Sequence, residues 1–246
     1  MTKAQEKELL KCTSLIHTEM KDGTSEQATC FFIKRTVNNQ EHHYLVTCAH
    51  VLKDARLIHI YLDLYHKEKD EIEYYKKITL APNGAVRFHP DCDLAVLGID
   101  SIRDKNIEMN YYQYSPIDIS FIPAVFDSFS SFQPLFMLGY PSGIHDSTTN
   151  LPIARTGITS TPLYSQYKGK PEFLINIPFL NGSSGSPIFA IRDDIPYLVG
   201  MECSKLLEKV TVDKKESRLY RSQKYTKELE TGLGIAVRAD CILELF

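Results

Sequence analysis

Residues 181–187 read Asn-Gly-Ser-Ser-Gly-Ser-Pro, with a hydroxyl at Ser184, a glycine on either side of it and a proline closing the segment. Glycine has no Cβ and takes positive φ readily. Such a string can therefore bend sharply, present one serine oxygen outward and aim backbone N–H groups into the same space. A serine that attacks a carbonyl needs both features, because negative charge develops on the carbonyl oxygen. It also needs a base, since its hydroxyl is almost fully protonated near neutral pH. His50 follows the apolar run Tyr44-Leu45-Val46 across the small residues Thr47-Cys48-Ala49. A neutral imidazole there can take the proton and later return it. Asp93 directly precedes Leu94-Ala95-Val96-Leu97, a run suited to a buried strand. A carboxylate beside the imidazole fixes its tautomer and stabilises its cationic form. The chain order His50, Asp93, Ser184 is one of several known for such a trio.

Other residues compete for these roles. Ser183 and Ser186 share the turn, and Asp91 stands near Asp93, but only Asp93 opens the apolar strand. His42 and His43 read as exposed hairpin residues and His145 as part of a polar loop. His89, before Pro90, reads as a turn cap. None of them leads into an apolar stretch as His50 does. The eight histidines show no metal-ligand spacing, so neither a metal nor another cofactor is expected.

Together, Thr47-Cys48-Ala49-His50-Val51, Asp93-Leu94-Ala95-Val96-Leu97 and Gly182-Ser183-Ser184-Gly185-Ser186-Pro187 resemble the histidine, aspartate and serine motifs of the chymotrypsin-like (trypsin-fold) serine proteases. Gly139-Tyr140-Pro141 resembles a turn opening a second-barrel strand in bacterial members. Leu198-Val199-Gly200-Met201 resembles the strand after the nucleophile. Gly232-Leu233-Gly234-Ile235-Ala236-Val237 is similar to a late stretch of the Deg-type proteases. The landmarks run from about Thr29 to about Val237, nearly the whole chain.

The resemblance implies an all-β fold of two six-stranded antiparallel barrels with the site in the cleft between them. The expected units are residues 12–115, carrying His50 and Asp93, and residues 116–246, carrying Ser184 and ending in a short helix. It implies peptide-bond hydrolysis through an acyl-enzyme. Ser184 is then the nucleophile, since the family register places it three residues before Pro187. His50 is the base, Asp93 its orienting group, and the N–H groups of Gly182 and Ser184 form the oxyanion hole. Pro178, Glu202, Cys203 and Gly234 fall in the substrate pocket. Glutamyl endopeptidases resemble the serine motif but carry a histidine where Glu202 aligns. A carboxylate at that place disfavours an acidic substrate side chain and favours a basic one. Cys203 stands where many relatives have a serine or threonine supporting the aspartate. Ser183 stands where trypsin-type zymogens have the aspartate that pairs with a freshly cut N-terminus, so activation without that ion pair is expected. Val51 replaces the cysteine of many secreted relatives, and no PDZ domain is expected after the second barrel.

Composition agrees with this class. The chain has 246 residues, 43% hydrophobic and 24% charged, which is ordinary for a soluble globular protein. A net charge of −3 gives no basic field for nucleic acid. No apolar run reaches a membrane span, and Met1–Lys11 is too polar for a signal peptide. Six scattered cysteines without a Cys-x-x-Cys pair are expected to be reduced and buried in a cytoplasmic protein. The partners implied are a polypeptide substrate and a regulatory protein; nothing in the sequence reports the oligomeric state. The readings from other classes are a protease-fold binding or scaffold protein that has lost turnover, and an esterase on the same fold.

Short strand-like runs separated by turn-formers recur along the chain, among them Leu15–His17, Ala28–Lys34, Tyr44–Val46, Arg56–Leu62 and Leu135–Leu138. Asn38-Asn39-Gln40-Glu41 reads as a hairpin turn. Asp63–Lys77 reads as a surface loop or hairpin, and 101–133 as an aromatic-rich connection whose rings pack on the domain. The polar 202–231 stretch reads as a long loop shaping access to the cleft, or else as an extended hairpin.

Overall fold

Alternation and turn chemistry set the strands. In the computed structural model, which describes residues 2–66, 68–82, 86–104, 110–146, 148–214 and 223–246, they form two sheets. The first contains β1 (Thr13–Met20), β2 (Ser25–Val37), β3 (Gln40–Thr47), β4 (Ala55–His66), β5 (Glu71–Leu80), β6 (Val86–Phe88), β7 (Ala95–Gly98), β8 (Asn110–Gln113) and β9 (Ile117–Asp118). The second contains β10 (Pro134–Gly139), β11 (Ile153–Ile158), β12 (Glu172–Ile175), β13 (Pro187–Arg192), β14 (Ile195–Lys214) and β15 (Gln223–Arg238). The first is ordered β5-β4-β1-β2-β3-β7-β6, with β8 beside β4 and β9 beside β2. The second is ordered β11-β10-β13-β14-β15-β12. Pairing is antiparallel apart from β9 on β2.

This is the chymotrypsin-like architecture in the form of two antiparallel sheets, neither closed into a barrel. Among the described residues the second sheet has the expected six strands, and the first has nine. In the second sheet a bridge between Thr159 and Ile175 joins the ends of the two outer strands, where Asn176 N–H also donates to Ile158 O at 3.2 Å.

The turn at Asn38-Asn39 has φ of 50° and 63°, the left-handed pair that a two-residue hairpin joining twisted strands requires. Residues 28–33 of β2 are buried on both faces, which explains their unbroken run Ala-Thr-Cys-Phe-Phe-Ile. Phe31, Phe32, Leu45, Ile58 and Ile60 form the first core, and it continues into Phe189, Leu198 and Met201 of the second sheet. A second cluster, with Phe173, Ile175, Ile188 and Val199, lies within the second sheet's half.

Among the described residues, short α-helices decorate the sheets: α1 (Lys3–Leu10), α2 (Ala49–Leu52), α3 (Asp100–Asp104) and α4 (Asp240–Leu243). Thr2 caps α1 through a reciprocal bond with Gln5. The end of the chain after α4 returns to the first sheet: Phe246 lies 4.6 Å from the Tyr44 ring and Leu245 O accepts from Arg87 at 2.7 Å.

Asp63–Lys77 is the β4–β5 hairpin, and most of 202–231 belongs to the extended β14–β15 hairpin, with residues 215–222 outside the described set. The aromatic connection packs in part: Tyr114 meets Phe32 edge-on at 5.0 Å, Phe126 and Phe129 are buried, and Phe132 is exposed. His43 departs from expectation. It is buried, because Tyr114 arrives from that connection and places its hydroxyl 2.6 Å from Nδ1, while Glu41 meets Nε2 at 2.7 Å.

Candidate active site

The end of β3 runs into α2, so that His50 sits one turn beyond a buried strand with its ring half exposed. Asp93 sits two residues before β7, the strand paired with β3. Strand pairing therefore brings two residues 43 positions apart into contact. The Asp93 carboxylate accepts the His50 backbone N–H at 2.9 Å through Oδ1 and meets the ring Nδ1 at 2.6 Å through Oδ2. With a carboxylate as its partner Nδ1 carries the proton, which leaves the lone pair on Nε2. The bond to Asp93 raises the His50 pKa above its ordinary value, more than burial lowers it. Burial pulls Asp93 upward, but the hydrogen bonds and charge of His50 outweigh it and leave Asp93 below the usual carboxylate range.

Ser184 lies in the turn before β13. Gly182 and Gly185 have φ of +83° and +87°, the left-handed conformation expected of this string. The turn belongs to the second sheet but is held by the first. Thr29 of β2 donates its Oγ1 to Gly182 O at 2.9 Å and its N–H to Ser184 O at 2.8 Å. Thr29 O in turn accepts from Thr47 Oγ1 of β3 at 2.8 Å. From the other side, Ser142 N–H donates to Asn181 O at 2.5 Å and Gly185 N–H to Glu202 O at 2.8 Å. A trans peptide points its N–H opposite to its C=O. Turning the Asn181 carbonyl toward Ser142 therefore directs the Gly182 N–H away from it. Ser183 N–H and Ser186 N–H are bonded within the turn, whereas those of Gly182 and Ser184 have no partner among the described residues.

His50, Gly182 and Ser184 line one cleft of about 430 Å³, together with Gln27, Phe179 and Asn181. Neither His50 Nε2 nor Ser184 Oγ has a hydrogen-bond partner among the described residues. The residues that carry the imidazole, the hydroxyl and the two amide donors thus line a common cleft.

The four expected pocket residues are not among those lining this cleft. Pro178 is exposed, and its carbonyl accepts from Arg155 Nη1 at 2.6 Å. Glu202 is fully buried and receives Arg155 Nη2 at 3.2 Å, so it offers no free charge to a basic substrate side chain. Burial pushes its pKa up to about 8, against the downward pull of the Arg155 charge and hydrogen bond and of the Ser183 hydroxyl. The Cys203 thiol donates to Ile235 O at 3.3 Å, and Asp93 is supported instead by the backbone N–H groups of Ala49 and His50. Gly234 is buried, and a Cβ there would stand 2.9 Å from Glu202 Oε1. His89 caps its turn as expected, accepting the N–H groups of Asp91 and Cys92 at 3.1 Å each.

Sequence reading missed Thr29, Thr47 and Arg155. The signal for Arg155 was available. In β11 the less exposed positions alternate as Ile153, Arg155 and Gly157, so the arginine shares the covered face with an isoleucine and a glycine. All six cysteines are free and buried, and among the described residues no helix is long and apolar enough to cross a membrane.

Two antiparallel sheets that bring a histidine–aspartate pair and a glycine-flanked serine to one cleft define a trypsin-like fold. The family profile for trypsin-like peptidase domains matches residues 28–201, and the chain belongs to that family. Three solved structures share the fold. The HtrA-type protease AlgW with a decapeptide is 14% identical at a TM-score of 0.54, over 95% of this chain and 62% of that one. The active form of the Rv3671c protease from M. tuberculosis is 14% identical at 0.54, over 96% and 79%. The protease Anisep from Arthrobacter nicotinovorans is 13% identical at 0.50, over 96% and 94%. No curated protein matches by sequence.

Proposed function

We propose that this chain is a cytoplasmic serine endopeptidase that acts through Ser184, His50 and Asp93. The observation that carries the reading is the set of unengaged groups in one cleft: His50 Nε2, Ser184 Oγ and the N–H groups of Gly182 and Ser184. In the reaction, Ser184 Oγ attacks the peptide carbonyl carbon and its proton passes to His50 Nε2. Asp93, bonded to Nδ1, steadies the imidazolium. The tetrahedral oxyanion is held by the amides of Gly182 and Ser184. Its collapse expels the amine, which takes the proton from His50, and water then cleaves the acyl ester with His50 again as base. The cytoplasmic assignment rests on six free thiols, which an oxidising compartment would tend to pair.

A fluorophosphonate probe tests the proposal. Ser184 Oγ is expected to displace fluoride and gain a phosphonyl group, and Ser184→Ala is expected to abolish the adduct. The same substitution should lower peptide hydrolysis by about a million-fold. Absence of both an adduct and cleavage of a diverse peptide library by the native chain would refute it and favour a non-catalytic binding role.

A further inference from the structure

Arg155 touches the segment leading into Ser184 at two points, Pro178 and Ser183, and also the strand behind it. From β11, outside the turn, it extends a guanidinium across the base of the loop. Nη1 donates to Pro178 O at 2.6 Å, where the chain enters the loop. Nη2 donates to Ser183 Oγ at 2.7 Å, on the residue immediately before Ser184. The same nitrogen donates to Glu202 Oε2 at 3.2 Å, on β14, whose carbonyl also receives the Gly185 N–H at 2.8 Å. Ser183 and Glu202 are fully buried, and the Arg155 side chain is only 16% exposed. Glu202 Oε1 is buried with no partner among the described residues, and it fits because position 234 lacks a Cβ. A planar guanidinium with several fixed donors is suited to such simultaneous contacts, and an ammonium is not.

We infer that Arg155 is a positioning residue for the reaction proposed above: it fixes the Ser183 side chain, and through it the amides of Gly182 and Ser184, with Glu202 holding the guanidinium in place. Ser183 lies between those two amides, so a rotation of its backbone moves both. Its hydroxyl carries no charge, and the cation that orders it comes from a neighbouring strand of the folded chain. α1, near the N-terminus, packs on a different part of the molecule, where Ser115 N–H meets Lys11 O at 3.0 Å. The cation that meets Ser183 is thus supplied by the folded chain itself.

The inference rests on the Ser184 reading, and the experiment separates the two. Arg155→Ala is expected to slow fluorophosphonate labelling of Ser184 and kcat for a peptide substrate by about 100-fold, the effect of an ångström-scale misplacement, with KM little changed. Millimolar guanidinium should restore part of the rate, and Arg155→Lys should restore little. Arg155→Ala strands a buried carboxyl group, so a double variant, Arg155→Met with Glu202→Met, serves as the folding control, because apolar replacement of both members of a buried pair is commonly tolerated. It should melt close to the native chain yet label about 100-fold more slowly. A folded double variant that labels at the native rate overturns the inference alone. Failure of the native chain to label overturns the Ser184 reading and the inference with it.

Discussion

The sharpest test of how the site is assembled is Gly185→Ala. This glycine has φ of +87°, and a Cβ there would fall 2.5 Å from Thr47 Oγ1 and 3.0 Å from the Thr29 carbonyl carbon, with the Thr29 oxygen nearer still. The left-handed conformation alone costs an alanine about 1–2 kcal/mol. Overpacking against backbone that cannot swing aside adds about 1–3 kcal/mol. The sum, about 2–5 kcal/mol, lowers Tm by about 4–20 °C for a chain of this length. To make room, the loop must withdraw from β2 and β3 by about 1 Å, and a misplacement of that size costs about 100-fold in rate. Gly169→Ala is the matched control. Its φ is +77° and nothing lies within 4 Å of the added carbon, so it carries only the backbone term of about 1–2 kcal/mol and leaves the rate unchanged. Calorimetry and fluorophosphonate labelling of both variants read the two effects separately. Adding Thr47→Ala to Gly185→Ala should recover only part of the loss, because the Thr29 carbonyl remains. Equal melting points and equal labelling rates for the two alanine variants would refute the claim that the first sheet holds the turn bearing Ser184.

The hydrogen bond to Asp93 keeps His50 protonated to higher pH than an ordinary imidazole, and only the neutral ring can act as base. The acid limb of kcat/KM should therefore have its midpoint above 6.5, the ordinary value. Asp93→Asn should lower the rate by about 10⁴-fold, by analogy with other triads, and draw the midpoint back down. Glu202 has its pKa raised from 4.5 to about 8, so the folded chain holds more protons than the unfolded one between those values, and stability should fall as pH rises through that window. Glu202→Gln should flatten that slope, as melting curves between about pH 5 and 8 would reveal. Phe189, fully buried and stacked on Phe136 at 5.1 Å, should cost about 3–5 kcal/mol when cut to alanine. The corresponding drop in Tm is about 6–20 °C by calorimetry, and a drop under about 3 °C would contradict the packing described.

Much of this was legible in local sequence. Each barrel-strand run quoted from periodicity lies in or at an observed strand, and the Asn38-Asn39 turn and the His89 cap follow from side-chain and backbone preferences of a few neighbouring residues. His50 and Asp93 were legible because each adjoins an apolar strand, and strand pairing does the rest. What escaped reading depends on segments far apart in the chain. His43 looked exposed until Tyr114 covered it. Glu202 looked like a pocket charge because its partner Arg155 lies 47 residues away, on a strand whose alternation showed an inward arginine without showing what it met. Thr29 and Thr47 look like ordinary strand threonines, and only the docking of one sheet on the other gives their hydroxyls a role. Sheet closure depends on whether outer strands meet, and no local pattern carries that information.

The bond from Thr29 to Gly182 joins residues 153 positions apart, and that from Arg87 to Leu245 spans 158. Loop-closure entropy makes contacts of such separation late arrivals on a folding route. On that ground His50 and Asp93, 43 positions apart, are expected to pair before the turn bearing Ser184 gains its support. The hydrolytic competence proposed above would then come last, once the second sheet has docked on the first. Severing the chain between the sheets would yield two inert fragments whose activity, if regained, must rise with the concentration of both.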